Sequence, residues 1–276
     1  MPELPEVETV ARLIRPQLVG RRIDACDVRW TRTLGGLSVE RFSRAVVGAR
    51  VVRVWRRAKY VVADLERAGE AAGHLVGHLR MTGRMLVDER GVDPGKFVKV
   101  SLALDDGRVF HFVDVRKFGR LQFAERAEKL LGKLGPEPLG DEFTVDVLHD
   151  GLRAKRRQMK PLLLDQTFVA GLGNIYVDEA LFRAGIHPLS RSEKITRERS
   201  AKLHTAIRAV LTEAIAREGS SFDVFYRTPE GNPGSFQDEF RVYGRAGEPC
   251  RECHAPIVRI VVGQRGTHFC KRCQKR

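Results

Sequence analysis

Four cysteines near the end of the chain are spaced as two pairs: Cys250-x2-Cys253, sixteen intervening residues, then Cys270-x2-Cys273. Two such knuckles on facing turns present four thiolates tetrahedrally, which suits one structural Zn²⁺. Between the pairs, Pro256–Val262 and Thr267–Phe269 alternate as the strands of a hairpin, with Gly263-Gln264-Arg265-Gly266 at its tip. A module this small buries too little to fold unaided, so the metal is architectural. What it presents is the tip, where Arg265 is a natural phosphate ligand. A redox pair is the weaker reading of the same spacing. The fifth cysteine, Cys26, sits in an apolar stretch and reads as a small buried hydrophobe.

The charge balance points the same way. Lys and Arg number 49 against 35 Asp and Glu, a net +14. Residues 151–276 carry 23 basic and 13 acidic side chains, so most of the excess lies in the second half. A surface this basic calls for a polyanion, and nucleic acid is the first choice. An anionic membrane is the second, but no basic amphipathic helix with an aromatic face supports it. No apolar run approaches the roughly 18–20 residues that span a bilayer. The acidic start is the wrong sign for a leader, so a cytoplasmic location is expected.

Along the 276 residues the texture changes once. Residues 5–19 have helical spacing of apolar side chains, with Gly20 as the stop and Pro16 as a possible kink. Apolar or alternating runs follow at Ala45–Trp55, Tyr60–Leu65, Val98–Leu104, Val109–Val113 and Leu121–Phe123. Many short strands with few helices predict a β-sandwich or flattened barrel for residues 1–131. Gly132–Gly140 is dense in Gly and Pro and reads as a hinge. Helices are expected at 144–153, 158–166, 175–184 and 197–218. The fold class is therefore α+β: a β-sandwich with a terminal helix, a helical domain over 141–240, and the cysteine hairpin over 241–276. Within the helical domain, 219–237 is a Gly/Ser/Pro-rich loop long enough to be functional.

Chemistry is concentrated at the other terminus. The chain starts Met1-Pro2-Glu3-Leu4-Pro5-Glu6-Val7-Glu8. Trimming the initiator methionine would leave Pro2 with a free secondary amine. An α-amino group titrates near about 7.7–8.0, against about 10.4 for lysine, so much of it is unprotonated at neutral pH. Such an amine can attack an electrophilic carbon and form a Schiff base, with Glu3 and Glu6 at hand to move protons. The plain alternative is a helix start favouring Pro and Glu. Further along, Gly171-Leu172-Gly173 before a helix at about Asn174 would let backbone N–H groups approach a phosphate. Lys155, Arg156, Arg157 and Lys160 lie just upstream, as in a clamp on a nucleic-acid backbone. The run Arg56-Arg57-Ala58-Lys59-Tyr60 is placed at a strand start.

Together, PELPEVETV, RRAKY, DVRKFGR, LGPEPL, KPLLLDQTFVAGLGNIYVDEALFRAGIHP and the cysteine-bearing end resemble bacterial formamidopyrimidine-DNA glycosylase, over essentially the whole chain and in order. The resemblance implies a bifunctional DNA glycosylase and AP lyase. It would excise 8-oxoguanine and formamidopyrimidines from duplex DNA in base excision repair. Pro2 would attack C1′ of the damaged nucleoside and Glu3 act as general acid–base. Lys59 would assist the lyase step and hold phosphate, and Arg265 would grip the flanking phosphates. The damaged nucleotide is extruded and Met81, Arg116 and Phe118 fill the void. Lys155, Lys160, Asn174 and Tyr176 would line the DNA path. The helical domain would be of helix-two-turn-helix type, and loop 219–237 would cap the lesion.

Two departures stand out. Phe97 occupies a place where relatives often have histidine, and the capping loop is unusually bulky and aromatic. An endonuclease VIII-type enzyme for oxidised pyrimidines is the nearest alternative. A non-catalytic zinc-finger DNA-binding protein is the alternative from another class. A monomer is expected.

Overall fold

The computed structural model describes residues 1–221 and 226–276. By its contacts the chain divides into two units. Met1–Lys133 with Glu218–Gly234 forms the first, and Leu134–Arg217 with Ser235–Arg276 the second.

The first unit opens with α1 (Leu4–Leu18), capped by Glu3. After β1 (Ile23–Val28), helix α2 (Val39–Val46) and strands β2 (Arg50–Arg57), β3 (Tyr60–Arg67), β4 (Glu70–His78), β5 (Gly83–Glu89), β6 (Val98–Leu104), β7 (Arg108–Asp114) and β8 (Arg120–Ala124), the short α3 (Glu128–Leu131) closes it. The strands make two antiparallel four-stranded sheets, ordered β1-β6-β7-β5 and β2-β3-β4-β8. Their facing sides bury Val51, Val54, Val61, Leu75, Val100, Leu102, Phe110 and Phe112 in one core. Helix α1 adds Val7, Val10, Ala11, Ile14 and Leu18 to it. This is the expected sandwich with a terminal helix. The run Ala45–Trp55 is not one strand, however. Its first residues finish α2, which Ser38 caps by accepting the Arg41 N–H, and the strand begins at Arg50. An apolar run cannot distinguish a buried helix end from a strand.

The second unit contains α4 (Val145–Lys155), α5 (Met159–Leu163), α6 (Asn174–Arg183), α7 (Arg197–Ala216) and a hairpin of β9 (Val258–Val262) with β10 (Arg265–Phe269). Thr144 and Thr196 cap α4 and α7 through their hydroxyls. Leu148, Leu152, Leu163, Val177, Leu181, Leu203, Ile207 and Leu211 are among its buried side chains. The turn from α5 to α6 is tied by Gln166, whose amide donates to the Leu164 and Leu172 carbonyls and accepts from the Gly171 N–H.

One boundary differs from the sequence reading. The sequence puts loop 219–237 in the helical domain, yet Glu218–Gly234 packs with the first unit. The reason is chemical: the Ser220 N–H donates to Glu6 Oε1 at 2.7 Å, and the Arg12 guanidinium donates to Glu218 Oε1 at 3.3 Å. The aromatic residues Phe222 and Phe225 lie outside the described residues.

Candidate active site and nucleic-acid contacts

The chain terminus is held by helix chemistry. The Glu3 N–H donates to Glu6 Oε2 at 2.8 Å while Glu3 reaches back to the Glu6 N–H, a reciprocal cap. Pro2 is buried, and Glu3 and Glu6 are 3% and 2% exposed. Glu6 has a second partner, since its other oxygen receives Ser220. Gly219 makes this possible: its φ is +79°, and a Cβ there would lie 2.7 Å from Glu6 Oε1.

Two contacts fix which way α1 points. Arg56 Nε donates to Glu8 Oε2 at 2.7 Å, and Arg15 Nε donates to the Val54 carbonyl at 2.8 Å. The start of the helix therefore lies toward the end of β2, where Arg57 pairs with Tyr60 and only Ala58 and Lys59 form the turn. Pro2 and Lys59 are thus at the same end of the first unit. Lys59 is in this turn and not at a strand start as read from the sequence. It is 5% exposed, and a lysine is buried only with partners.

His78, which sequence reasoning missed, completes this end. It pairs with Tyr60 across the sheet, and their rings meet edge to face at 4.6 Å. Burial, then the nearby charges of Arg80 and Lys59, push its pKa down to about 3. The Arg80 N–H donates to Nδ1, so the neutral ring carries its proton on Nε2 and can only donate from there. A lone histidine in an apolar strand gives no local sign of this. Only its register opposite Tyr60 reveals it.

Met81, Arg116 and Phe118 sit on the two loops at the same end, where Gly83 pairs with Asp114. All three are exposed, Met81 to 38% and Phe118 to 48%. The Arg116 guanidinium stacks on the Phe118 ring at 5.0 Å. Phe97 and Val115 are also exposed beside them, giving a small apolar patch with cationic neighbours. Phe97 itself is covered by the Lys96 ammonium, at 5.4 Å from the ring centre.

In the second unit the four cysteine sulfurs all lie within 4.8 Å of one another, with Cys250–Cys273 at 3.9 Å and Cys253–Cys270 at 3.4 Å. Tetrahedral Zn–S bonds of roughly 2.3 Å require sulfurs about 3.8 Å apart, so the set fits one Zn²⁺. The hairpin turn is only Gly263-Gln264. Arg265 follows it as the first residue of β10, paired with Val262 and exposed.

Not every expected DNA contact is accessible. Lys155 is exposed at the end of α4. Lys160 is wholly buried: its ammonium donates to Asp178 Oδ1 at 2.6 Å and to the Gly266 carbonyl at 3.0 Å. Tyr176 is wholly buried too, against Phe236 at 5.8 Å. The sequence puts both on the DNA path, and the structure encloses both side chains. Asn174 donates to the same Gly266 carbonyl at 3.1 Å, and Asp178 Oδ2 receives the His268 N–H at 2.8 Å. Lys160, Asn174 and Asp178 therefore hold the strand that carries Arg265.

Backbone strain marks the same places. Among the described residues eight non-glycines have left-handed φ, and five adjoin expected catalytic or DNA-binding residues. They are Ala58 before Lys59, Arg80 before Met81, Lys117 between Arg116 and Phe118, Arg156 after Lys155, and Gln264 before Arg265. Such conformations persist where surrounding structure enforces them and gather at functional sites.

A buried N-terminal start at the same end as a lysine turn, an exposed set of Met, Arg and Phe, and a hairpin stapled by four cysteines that fit one Zn²⁺ are the features of a zinc-finger DNA-repair protein. Comparison with known proteins narrows the class. Residues 1–121 match the formamidopyrimidine-DNA glycosylase N-terminal domain, 134–225 its H2TH domain, and 247–276 the zinc finger found in FPG and IleRS. The chain belongs to the formamidopyrimidine-DNA glycosylase family. Formamidopyrimidine-DNA glycosylase of Chloroflexus aggregans is 47% identical over 277 residues, covering 99% of this chain and 98% of that protein. The MutM (Fpg) structure from Thermus thermophilus superposes with a TM-score of 0.88 at 41% identity, covering 99% of this chain and 98% of that one. Lactococcus lactis Fpg, solved with DNA containing N7-benzyl-Fapy-dG, gives 0.90 at 34% identity with full coverage of both chains.

Proposed function

We propose that this enzyme excises oxidised purines, 8-oxoguanine and formamidopyrimidines, from double-stranded DNA and then cuts the strand at the emptied sugar. The observation that carries the reading is the placement of the Pro2 terminus at the end of the first unit that also holds Lys59, His78 and the Met81/Arg116/Phe118 loops. Removal of Met1 frees the Pro2 nitrogen. That nitrogen bonds to C1′ as the glycosidic bond breaks, and the departing base takes a proton from an acid such as Glu3. The nitrogen loses its proton, the C1′–O4′ bond opens as O4′ is protonated, and the resulting iminium makes the C2′ proton acidic. Its loss expels the 3′ phosphate, and a second elimination expels the 5′ phosphate. Lys59 and Arg265 bind the phosphates and stabilise their departing charge. Met81, Arg116 and Phe118 occupy the space of the extruded nucleotide. Lys155 and the Asn174 helix start contact the DNA backbone without reading sequence. The zinc is structural and takes no part in these steps.

No helix among the described residues is long and apolar enough to cross a membrane. We place the enzyme, as a monomer, in the cytoplasm with the nucleoid DNA. Borohydride trapping on an 8-oxoguanine duplex tests the mechanism. The mature protein forms a covalent adduct, and Pro2→Gly or retained Met1 abolishes it. An intact free terminus that traps nothing overturns the reading, and preference for thymine glycol over 8-oxoguanine would replace it with the endonuclease VIII-type one.

A further inference from the structure

One buried carboxylate ties the two wedge loops together. Asp114 is 1% exposed and lies at the end of β7. Its Oδ1 accepts from the Thr82 hydroxyl and, at 3.2 Å, from the Arg116 N–H. Its Oδ2 accepts from the Gly119 N–H at 2.7 Å. Thr82 is 4% exposed, and its oxygen also accepts from the Arg116 N–H at 3.1 Å, closing a triangle of Thr82, Asp114 and Arg116. Loop 115–118 is therefore pinned at both ends by the carboxylate, and the loop holding Met81 is pinned to it through Thr82. Gly119 admits the arrangement, because a Cβ there would lie 2.7 Å from the Phe112 ring and 3.1 Å from Asp114 Oδ2.

We propose that Asp114 and Thr82 act as a latch that sets the spacing of Met81 against Arg116 and Phe118, and so govern extrusion of the damaged nucleotide. They are positioning residues. Neither is assigned a contact with DNA, and the inference rests on the wedge role given above. The physical case is one of shared geometry. Filling a vacated base position needs an apolar side chain from one loop and a cation with an aromatic from the other, at fixed separation. A hydroxyl bridging two loops to one carboxylate fixes that separation better than loop packing alone, since each bond is directional and buried. The strained backbone at Arg80 and Lys117, directly beside the three wedge side chains, is what such a latch must hold in place.

The test uses the full mature enzyme and two substrates: a duplex with 8-oxoguanine opposite cytosine and a neighbouring 2-aminopurine, and a single-stranded abasic oligonucleotide. Thr82→Val removes the bridging hydroxyl with little change of shape, and Thr82→Ser retains it. Misplacement of this kind costs roughly 10- to 100-fold in rate. The expected result is that loss in Thr82→Val for both the 2-aminopurine fluorescence rise and turnover of the duplex. Borohydride trapping on the single strand should stay within about twofold of wild type. Thr82→Ser restores the duplex rate, and Asp114→Asn, which replaces the Oδ2 acceptor with a donor facing Gly119, shows the same split. Wild-type extrusion in Thr82→Val overturns the latch. So do equal losses on both substrates, which indicate a structural role only. If wild type traps neither substrate, the glycosylase reading itself has failed and this inference goes with it.

Discussion

Two hairpin turns of this protein each offer one cation, and they are built on opposite principles. Lys59 belongs to the Ala58-Lys59 turn, which joins β2 to β3 inside a sandwich with an extensive apolar core. Arg265 follows the Gly263-Gln264 turn of a hairpin whose buried apolar cluster is Phe182, Val242, Cys250, Ile257 and Cys270. Two of those five are metal ligands. The first turn is held by an ordinary core plus buried charges. The second has four thiolates, and beneath it one ion pair. The difference teaches that each turn cation has a rigid mount, and that a metal replaces apolar burial where the chain is too short to supply it.

The largest effect that sharpens this contrast is zinc removal. Structural zinc contributes roughly 10–16 kcal/mol in zinc-finger peptides. Chelation should therefore unfold the Arg265 hairpin and abolish DNA binding, while the β-sheet circular dichroism of the first unit persists. Unchanged DNA affinity after verified metal loss would count against the mount. Next comes Asp178→Asn. It leaves the Lys160 ammonium buried without its anion and weakens the acceptor for the His268 N–H. Breaking a buried pair from one side costs about 3–5 kcal/mol. The expected outcome is a fall of that size in denaturant-measured stability of the second unit, with DNA binding weakened through Arg265. Lys160→Met combined with Asp178→Leu should recover most of the stability. If the single variant is as stable as wild type, the pair is not holding the hairpin.

The third effect belongs to the Lys59 mount alone. His78 titrates near 6.5 when unfolded but only at about 3 when folded. Above pH 6.5 both states are neutral and stability is flat. Below it the unfolded chain binds a proton that the folded chain refuses, so stability falls as pH drops toward about 3. At about 1.4 kcal/mol per unit, the loss at about pH 5 is about 2 kcal/mol. Urea titrations at about pH 7.5 and about pH 5 should show a loss larger by that amount in wild type than in His78→Gln, because His111 and His187, also held neutral by burial, lose stability in both. An equal loss in the variant would assign the acid sensitivity elsewhere.

How much of this is legible beforehand follows from where each signal resides. The cysteine spacing and the helical periodicities are local, and each expected helix is present within a few residues. Strands β1, β4 and β5 escape the sequence reading. The burial of β1 does not alternate cleanly, and β4 and β5 mix glycine and charge into their runs. Burial of single polar residues is not readable at all. Tyr176 is expected on the DNA path from the family resemblance alone and Lys160 from that and from its place in a basic run, and only the fold shows that both side chains are enclosed. Asp114, Asp178 and His78 are overlooked for the converse reason, since nothing next to them in the chain shows that a tertiary partner will arrive.

The smallest predicted effect compares the two turns most directly. Ala58 and Gln264 have nearly the same strained backbone, with φ of 52° and 62°. Glycine at either position relieves left-handed strain of roughly 1–2 kcal/mol, offset by about 0.5–1 kcal/mol for the freer unfolded chain. The two should not respond equally. The Ala58 methyl is fully buried, and losing it costs about 0.8 kcal/mol, whereas Gln264 is exposed and loses nothing comparable. Gln264→Gly should therefore be neutral to slightly stabilising, and Ala58→Gly should fall below it by about 0.8 kcal/mol. Thermal melts of the two variants measure that gap as a difference, in which the strain common to both turns cancels. A gap of zero would mean that the Lys59 turn takes no support from the sandwich core.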